Sequence, residues 1–153
     1  MGHFITGLIA ANTVLADLSR RHALPAPVPL TQGLSLLPLR DDDLDRWLPG
    51  PLHGFPEGFT YLSSQLIDYL LTASLSGPIA YIETDYSGGA GAQGAAVFRA
   101  GHLAMQPVSA ATGPINQALA LLGVRITEPA YDAFETLGLN RHRHTEEWLT
   151  ESR

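Results

Sequence analysis

The chain has 153 residues with nine arginines, no lysine, no cysteine and fifteen acidic residues, so its formal charge is −6 when histidine is neutral. This length fits one domain, 1–153, and 45% of hydrophobic residues is enough for a buried core. The absence of cysteine excludes a disulfide framework, a zinc–thiolate site and a thiol nucleophile. The acidic charge argues against nucleic acid as the main partner, because nucleic-acid binding depends on cationic contacts with phosphate.

The most apolar stretch near the start of the chain, residues 4–16, does not have the pattern of an export signal. It lacks a cationic region before it, and Asn12, Thr13 and Asp17 interrupt it. No run reaches the roughly eighteen apolar residues that span a bilayer. We therefore expect a cytoplasmic protein with no membrane partner.

The first half of the chain is predicted to hold two strands and three helices. Apolar runs of strand length alternate with apolar residues at three- and four-residue spacing. The helical stripes place Trp47 and Phe59 in or near the core. In chain order the elements are a strand over 4–10, a helix from Asn12, a strand over 34–39, a short helix after Asp41-Asp42-Asp43 and a long helix over Phe59–Leu75.

The second half is predicted to be a run of strands followed by short helices. The strands cover 79–86, 93–99 and 102–108, and the glycine-rich residues 87–92 form a flexible hairpin loop between the first two. Helices begin at Pro114, near Pro129 and after Thr145. We therefore expect a single α+β domain with a mainly antiparallel central sheet of about five strands packed with about five helices.

Two acids in the third predicted strand are the first candidate site. Side chains alternate across a strand, so Tyr81, Glu83 and Asp85 share one face, and the two carboxylates have β-carbons about 6–7 Å apart. Such a pair, with the neighbouring Tyr86, is suited to binding a cation or to acid/base chemistry beside loop 87–92. The alternative is a solvated strand edge whose charges discourage strand pairing.

The acidic run Asp41-Asp42-Asp43 is the second candidate site. It caps a helix N-terminus, and it also forms an anionic patch which, with Glu83, Asp85, Glu146 and Glu147, suits a basic partner surface.

No signature of a metal or cofactor site accompanies these acids. The run of aspartates lacks the glycine and the terminal glutamate of a calcium loop, and the glycine run lacks the lysine of a phosphate-binding loop. His142 and His144 are half of a metal site at most. We therefore expect no metal, no cofactor and no assignable catalytic residue.

Residues 83–89, 93–98, 113–119 and 122–124 together resemble small uncharacterised bacterial cytosolic proteins of the kind found beside secreted-toxin systems. The resemblance extends over about 58–149 and carries no established activity. It implies an immunity-type protein that binds and blocks a toxin, without enzymatic activity. A small enzyme or small-molecule binder that uses Glu83 and Asp85 is one alternative. A structural subunit whose exposed strand edge pairs with a second copy, as in a homodimer, is the other.

Overall fold

A six-stranded sheet, antiparallel between all neighbouring strands, organises the chain. The structure is a computed structural model and describes residues 2–152. The strands are β1 (Thr6–Ala11), β2 (Val28–Pro29), β3 (Leu34–Pro38), β4 (Ile79–Ser87), β5 (Ala90–Arg99) and β6 (His102–Ala110), and their order in the sheet is β2-β3-β1-β4-β5-β6. The predicted α+β class and antiparallel sheet are confirmed. The strand that the sequence analysis missed is β2, because it is two residues long and lies in a proline-rich connection.

Six α-helices within residues 2–152 cover the two faces of this sheet. They are α1 (Asn12–His22), α2 (Asp41–Trp47), α3 (Ser64–Ala73), α4 (Pro114–Leu121), α5 (Ala133–Leu137) and α6 (Thr145–Ser152). Apolar side chains of α1, α2 and α3 form one core cluster with one face of the sheet, and those of α4, α5 and α6 form a second cluster with the other face. Both faces of the central strands are therefore buried.

This burial on both faces explains the continuous apolar runs in the sequence. In β4, Ile79 and Tyr81 belong to the first cluster, while Ala80 and Ile82 belong to the second, and all four are fully buried. A strand covered on both faces has no solvent-facing positions, so the usual alternation of apolar and polar residues is lost. Beyond Ile82 the strand becomes polar, with Glu83 and Thr84 still buried, and exposed positions begin only at Asp85.

The prediction of a long helix over Phe59–Leu75 is wrong at the N-terminal end of the helix. The helix α3 begins at Ser64, because the hydroxyl of Ser63 accepts a hydrogen bond from the backbone N–H of Leu66 at 3.1 Å and acts as the N-cap. Residues 59–62 precede the helix and lie against the sheet. Phe59 is buried, as predicted, but it belongs to this connection and not to a helical stripe.

The flexible loop predicted over 87–92 is also wrong. Strands β4 and β5 stay paired up to Ser87 and Ala90, which leaves a two-residue turn, Gly88-Gly89. Both glycines have positive φ, 62° and 82°, as a hairpin turn of this length requires. Residues 90–92 belong to β5, so the glycine-rich segment is a tight turn and a strand.

Phe59 fills a space that a glycine in the sheet leaves open. A β-carbon on Gly94 would lie 2.6 Å from Cε2 of Phe59, and the ring also packs 6.2 Å from the ring of Tyr81. Trp47, by contrast, is half-buried at the margin of the core, with its ring 5.0 Å from that of Tyr69. Phe59 is therefore the aromatic anchor that joins the connection 59–62 to β4 and β5.

We predict that Phe59→Ala lowers the free energy of unfolding by about 3–5 kcal/mol, because it removes a buried ring and leaves a cavity. Chemical denaturation measures the loss. The matched control is Phe55→Ala, since Phe55 is 41% exposed in the same connection and its truncation should cost within about 0.5 kcal/mol. Gly94→Ala should destabilise the wild type by about 1–3 kcal/mol through overpacking, and less in the Phe59→Ala background. Equal costs for the two phenylalanines would contradict the packing described.

Candidate functional site

An open pocket of about 480 Å³ lies at one end of the sheet, beside the first residue of β1, Thr6, and its pairing partner Glu83 in β4. Five parts of the chain build it: the N-terminal residues before and within β1, the first turn of α2 with the residues before it, the connection before α3, the end of β4, and the first turn of α6 with the residue before it. The lining residues are Phe4, Thr6, Leu39, Arg40, Asp41, Asp42, Thr60, Tyr61, Glu83, Thr84, Asp85, His144, Thr145 and Glu146.

The charge of this acidic pocket is strongly negative. Five carboxylates line it against one arginine, which gives a formal charge of −4 when His144 is neutral. The arginine, Arg40, is itself paired, with its Nε 3.3 Å from an oxygen of the buried Asp43. Because Asp43 also pairs with Arg46, it offsets the charge of Arg40 only in part, and five carboxylates against this one arginine set the local potential.

The two acidic segments singled out in the sequence meet in this pocket. Asp41 and Asp42 occupy the first turn of α2, and Glu83 and Asp85 lie at the end of β4. Glu146, in the first turn of α6, joins them. Asp41, Asp42 and Glu146 thus lie at the positive ends of two short helices, where a negative charge is favourable.

Other sequence candidates lie outside the pocket. Asp43 is 1% exposed and accepts hydrogen bonds from the backbone N–H of Arg40 at 3.0 Å and from Arg46 at 3.1 Å, so it holds the N-terminus of α2. Tyr86 lies on the opposite face of β4, where its hydroxyl donates to the carbonyl of Ala111. Glu147 accepts from the backbone N–H groups of residues 143 and 144. These side chains stabilise the walls of the site.

Glu83 is held by the protein on both carboxylate oxygens. Its Oε1 accepts a hydrogen bond from the backbone N–H of Thr60 at 2.6 Å, and its Oε2 accepts from that of Tyr61 at 3.1 Å and from the hydroxyl of Tyr81 at 2.5 Å. The residue is 7% exposed. A carboxylate with three donors is stabilised in a buried place, because each donor replaces part of the lost hydration. Glu83 therefore fastens the connection 59–62 to the sheet.

Asp85 has a different environment from Glu83, although the two residues share one face of β4. Asp85 is exposed, and it lines the pocket from the end of the strand. Glu83 is thus a structural part of the pocket wall, whereas Asp85 is exposed to the solvent in the pocket.

Burial and the nearby carboxylates raise the pKa values of two tyrosines. Burial raises the pKa of Tyr61, and the carboxylates of Asp41, Glu83 and Asp85 raise it further. The pKa of Tyr81 lies well above its usual value of 10, first because the hydroxyl is buried and then because of the Glu83 carboxylate. Both hydroxyls stay protonated at neutral pH and act as hydrogen-bond donors beside the anionic groups.

Aromatic rings form part of the rim. Phe4 is 39% exposed and stacks on the ring of His144, with centroids 5.6 Å apart and planes 21° apart. Tyr61 is half-buried on the wall formed by the connection before α3. An aromatic rim beside carboxylates suits a cation on an apolar stem, because the ring faces attract positive charge and cover the stem.

No family model, curated protein or solved structure matches this chain. Within residues 2–152 no group of three or more histidine, aspartate or glutamate side chains is arranged to hold a metal ion. None of the helices in the same range has the length and apolar character needed to cross a membrane. The chemistry of the site must therefore be argued from its own side chains.

The sequence analysis missed part of the site. Thr6, Thr60, Tyr61, His144 and Thr145 line the pocket, yet no motif distinguishes them from other polar residues. Their only sequence signal is indirect: Thr145 precedes the acids of a helix N-terminus, and Tyr61 follows the buried Phe59. Long-range pairing brings them together, and spacing along the chain does not encode it.

We predict that Glu83→Gln lowers the free energy of unfolding by about 1.5–3 kcal/mol. The reason is that the NH₂ group of glutamine would face donors, from Thr60 or from Tyr61 and Tyr81, that now donate to a carboxylate oxygen. Asp85→Asn, at an exposed position on the same strand face, should change stability by less than about 0.5 kcal/mol. Tyr81→Phe should cost about 1 kcal/mol, since it removes one donor and leaves the two backbone bonds. Urea denaturation compares the three variants, and a Glu83→Gln variant as stable as Asp85→Asn would refute the fastening role.

Proposed function

We propose that this chain is a non-enzymatic protein-binding module that holds a basic segment of a partner protein in the acidic pocket, and that the partner is a toxin which it inhibits. The observation that carries the binding role is the convergence of five carboxylates from separate elements on one pocket of about 480 Å³. The toxin as partner rests on the resemblance of residues 83–89, 93–98, 113–119 and 122–124 to small bacterial proteins of the kind found beside secreted-toxin systems, which implies an immunity-type role.

The chemistry of the pocket favours an arginine or lysine side chain as the bound group. Asp41, Asp42 and Asp85 are exposed, so they attract a cation without first losing hydrogen bonds within the protein. The rings of Phe4 and Tyr61 cover the methylene stem that carries such a cation. Charges of one sign in a concave site also concentrate the field and accelerate encounter with a basic partner.

The enzymatic alternative receives less support from the geometry. An acid/base pair needs a carboxylate within reach of substrate, whereas both oxygens of Glu83 already accept bonds from Thr60, Tyr61 and Tyr81. The segment proposed as a mobile loop beside the pair is the tight turn Gly88-Gly89. Glu83 is thus suited to hold backbone in place.

The self-association alternative depends on the two edges of the sheet, and both edges are poorly suited to pairing. The edge strand β2 has two residues, one of them Pro29. The other edge, β6, contains Pro107, and its pairing with β5 has register shifts near Val97. Proline, bulges and short length are the features that discourage edge-to-edge association.

We predict that Asp42→Lys combined with Glu146→Lys abolishes salt-sensitive binding of a short oligoarginine peptide. The association rate at low salt should fall by roughly tenfold or more, because the two changes raise the formal charge of the pocket from −4 to 0. The matched control combines Asp68→Lys with Glu128→Lys, which changes the net charge by the same amount at exposed positions outside the pocket. Stopped-flow or surface-based kinetics at two salt concentrations measures the rates, and equal loss in both variants would refute a specific pocket.

Inhibition requires a separate test in cells. Each protein encoded beside the gene for this chain is expressed alone and together with the chain, and growth is recorded. Arrest by a basic neighbour that the wild-type chain relieves, and that the Asp42→Lys/Glu146→Lys variant does not relieve, is the expected result. Absence of any growth-arresting neighbour, or relief by the pocket variant, would contradict the inhibitory role.

A further inference from the structure

The N-terminal segment, residues 3–6, is held between two distant parts of the chain. On one side His3 exchanges two backbone hydrogen bonds with Tyr86, both 3.0 Å long, and the carbonyl of Ile5 accepts from the N–H of Thr84 at 2.8 Å. On the other side the N–H of Phe4 donates to the carbonyl of Arg143 at 2.6 Å. The segment therefore joins the end of β4 to the residues that lead into α6.

The contacts with α6 run through Thr145. The N–H of Thr145 donates to the carbonyl of Phe4 at 3.0 Å, and the Oγ1 of Thr145 accepts from the N–H of Thr6 at 3.1 Å. Phe4, Thr6 and Thr145 all line the acidic pocket. Release of the segment would thus remove one wall of the pocket.

The side chain of His3 lies at the centre of this junction. Its Nδ1 is 2.7 Å from the Oγ1 of Thr84, which also accepts from the N–H of Ile5 at 2.9 Å. Its ring packs against Phe134 of α5, with centroids 5.7 Å apart. The Nε2 atom is buried and has no hydrogen-bond partner among residues 2–152. The hydroxyl of Thr84 donates to the carbonyl of His3 at 3.3 Å, so its Oγ1 accepts from Nδ1–H and the neutral ring has no proton on Nε2. Protonation of the ring would bury an N–H donor at Nε2 without an acceptor, which is costly.

The charged and titratable groups around His3 are Arg143, His144, Asp132 and Tyr86. Arg143 and His144 belong to the strand-like residues on one side of the segment, and both oppose a charge on His3. Asp132 lines the same small pocket as His3, but its Oδ1 accepts from the N–H of Glu135 and its Oδ2 accepts from Asn116. Tyr86 also faces this pocket with a neutral hydroxyl. The ring is therefore neutral in the folded junction.

We propose that His3 is an acid-sensitive latch: protonation of its ring releases His3 and Phe4 from Tyr86 and from residues 143–145 and thereby opens one wall of the acidic pocket, while the side chain of Ile5, which is 1% exposed, stays in the core. Two observations carry the proposal. The Nε2 of His3 is buried without a partner among residues 2–152, and His3 and Phe4 make the backbone hydrogen bonds that join Tyr86 to Arg143 and Thr145.

The direction of the pH dependence follows from the pKa of His3. Burial, and then Arg143 and His144, lower this pKa below the usual 6.5. Because the pKa of His3 is lower in the closed state than in the released state, the released ring binds a proton more readily. The closed latch is therefore fully stable above pH 6.5 and becomes less stable as the pH falls below 6.5. Each pH unit in that range, down to the pKa of the closed state, favours release by up to about tenfold.

Amide hydrogen exchange followed by NMR tests the latch. Protection factors of the N–H groups of Phe4 and Thr145 are compared at about pH 7 and about pH 5, after correction for intrinsic exchange rates, with Ile82 in β4 as the reference. We expect protection of the two latch amides to fall at the lower pH, by up to about 25-fold, which is the limit that a released pKa of 6.5 sets, while that of Ile82 changes little. Protection that does not depend on pH, or falls equally at Ile82, would overturn the proposal.

Variants assign the effect to His3. In His3→Asn the amide keeps a partner for Thr84 and does not titrate, so the fall in protection should disappear. Arg143→Gln, at an exposed position, should make the fall smaller, and it gives a second result should His3→Asn fold poorly. His22→Gln is the control, because burial lowers the pKa of His22 as well but its ring lies against Tyr69 on the other face of the sheet. A fall that persists in His3→Asn, or vanishes in His22→Gln, would refute the latch.

Binding of the oligoarginine peptide gives the functional consequence, which rests on the proposed function. Affinity should drop more steeply between about pH 7 and about pH 5 in the wild type than in His3→Asn, since only the wild type loses the pocket wall. Loss of latch protection without any peptide binding would refute the function and leave the latch. Peptide binding together with protection that does not change with pH would support the proposed function and refute the latch.

Discussion

Burial of the sheet on both faces is the constraint on which the rest of the structure depends. Strands β1, β4 and β5 carry apolar side chains in both directions, so helices have to cover both sides of them. The chain meets this requirement by placing α1–α3 on one face and α4–α6 on the other. Polar chemistry is thereby confined to the ends of the strands, and the acidic pocket lies where the buried run of β4 ends after Ile82.

Glu83 shows how a charged side chain is accommodated at that boundary. The carboxylate lies directly beyond Tyr81 on a buried face, and its three donors offset the loss of hydration. Two of these donors are backbone N–H groups of the connection before α3, so the same bonds place Tyr61 on the pocket wall and bring Ser63 into position to cap the helix. One buried carboxylate thus shapes the site in which the exposed carboxylates act.

The pocket also depends on contacts between the beginning and the end of the described chain. Residues 3–6 pair with β4 on one side and with residues 143–145 on the other, so the wall of the pocket is a short extension of the sheet. The side chain of Ile5 anchors this extension in the core, whereas His3 and Phe4 are only partly buried, so the part of the wall before Ile5 is held less strongly than the core strands. A site that combines a rigid floor with a weakly held wall is suited to regulation at that wall, and His3 lies within it.

The sequence by itself determined the α+β class, most of the strands and helices, and the two acidic segments, because these depend on local periodicity, capping residues and charge. Only the tertiary structure decided that Glu83 is buried while Asp85 is exposed, that Asp43 holds a helix end while Asp41 and Asp42 face a pocket, and that residues 59–62 form a connection and not a helix. The reason is physical: residues on the same face of a strand or in the same turn differ only in what distant segments bring to them. Those distant partners, the backbone N–H groups of Thr60 and Tyr61 for Glu83 and solvent for Asp85, are encoded by the packing of the whole chain.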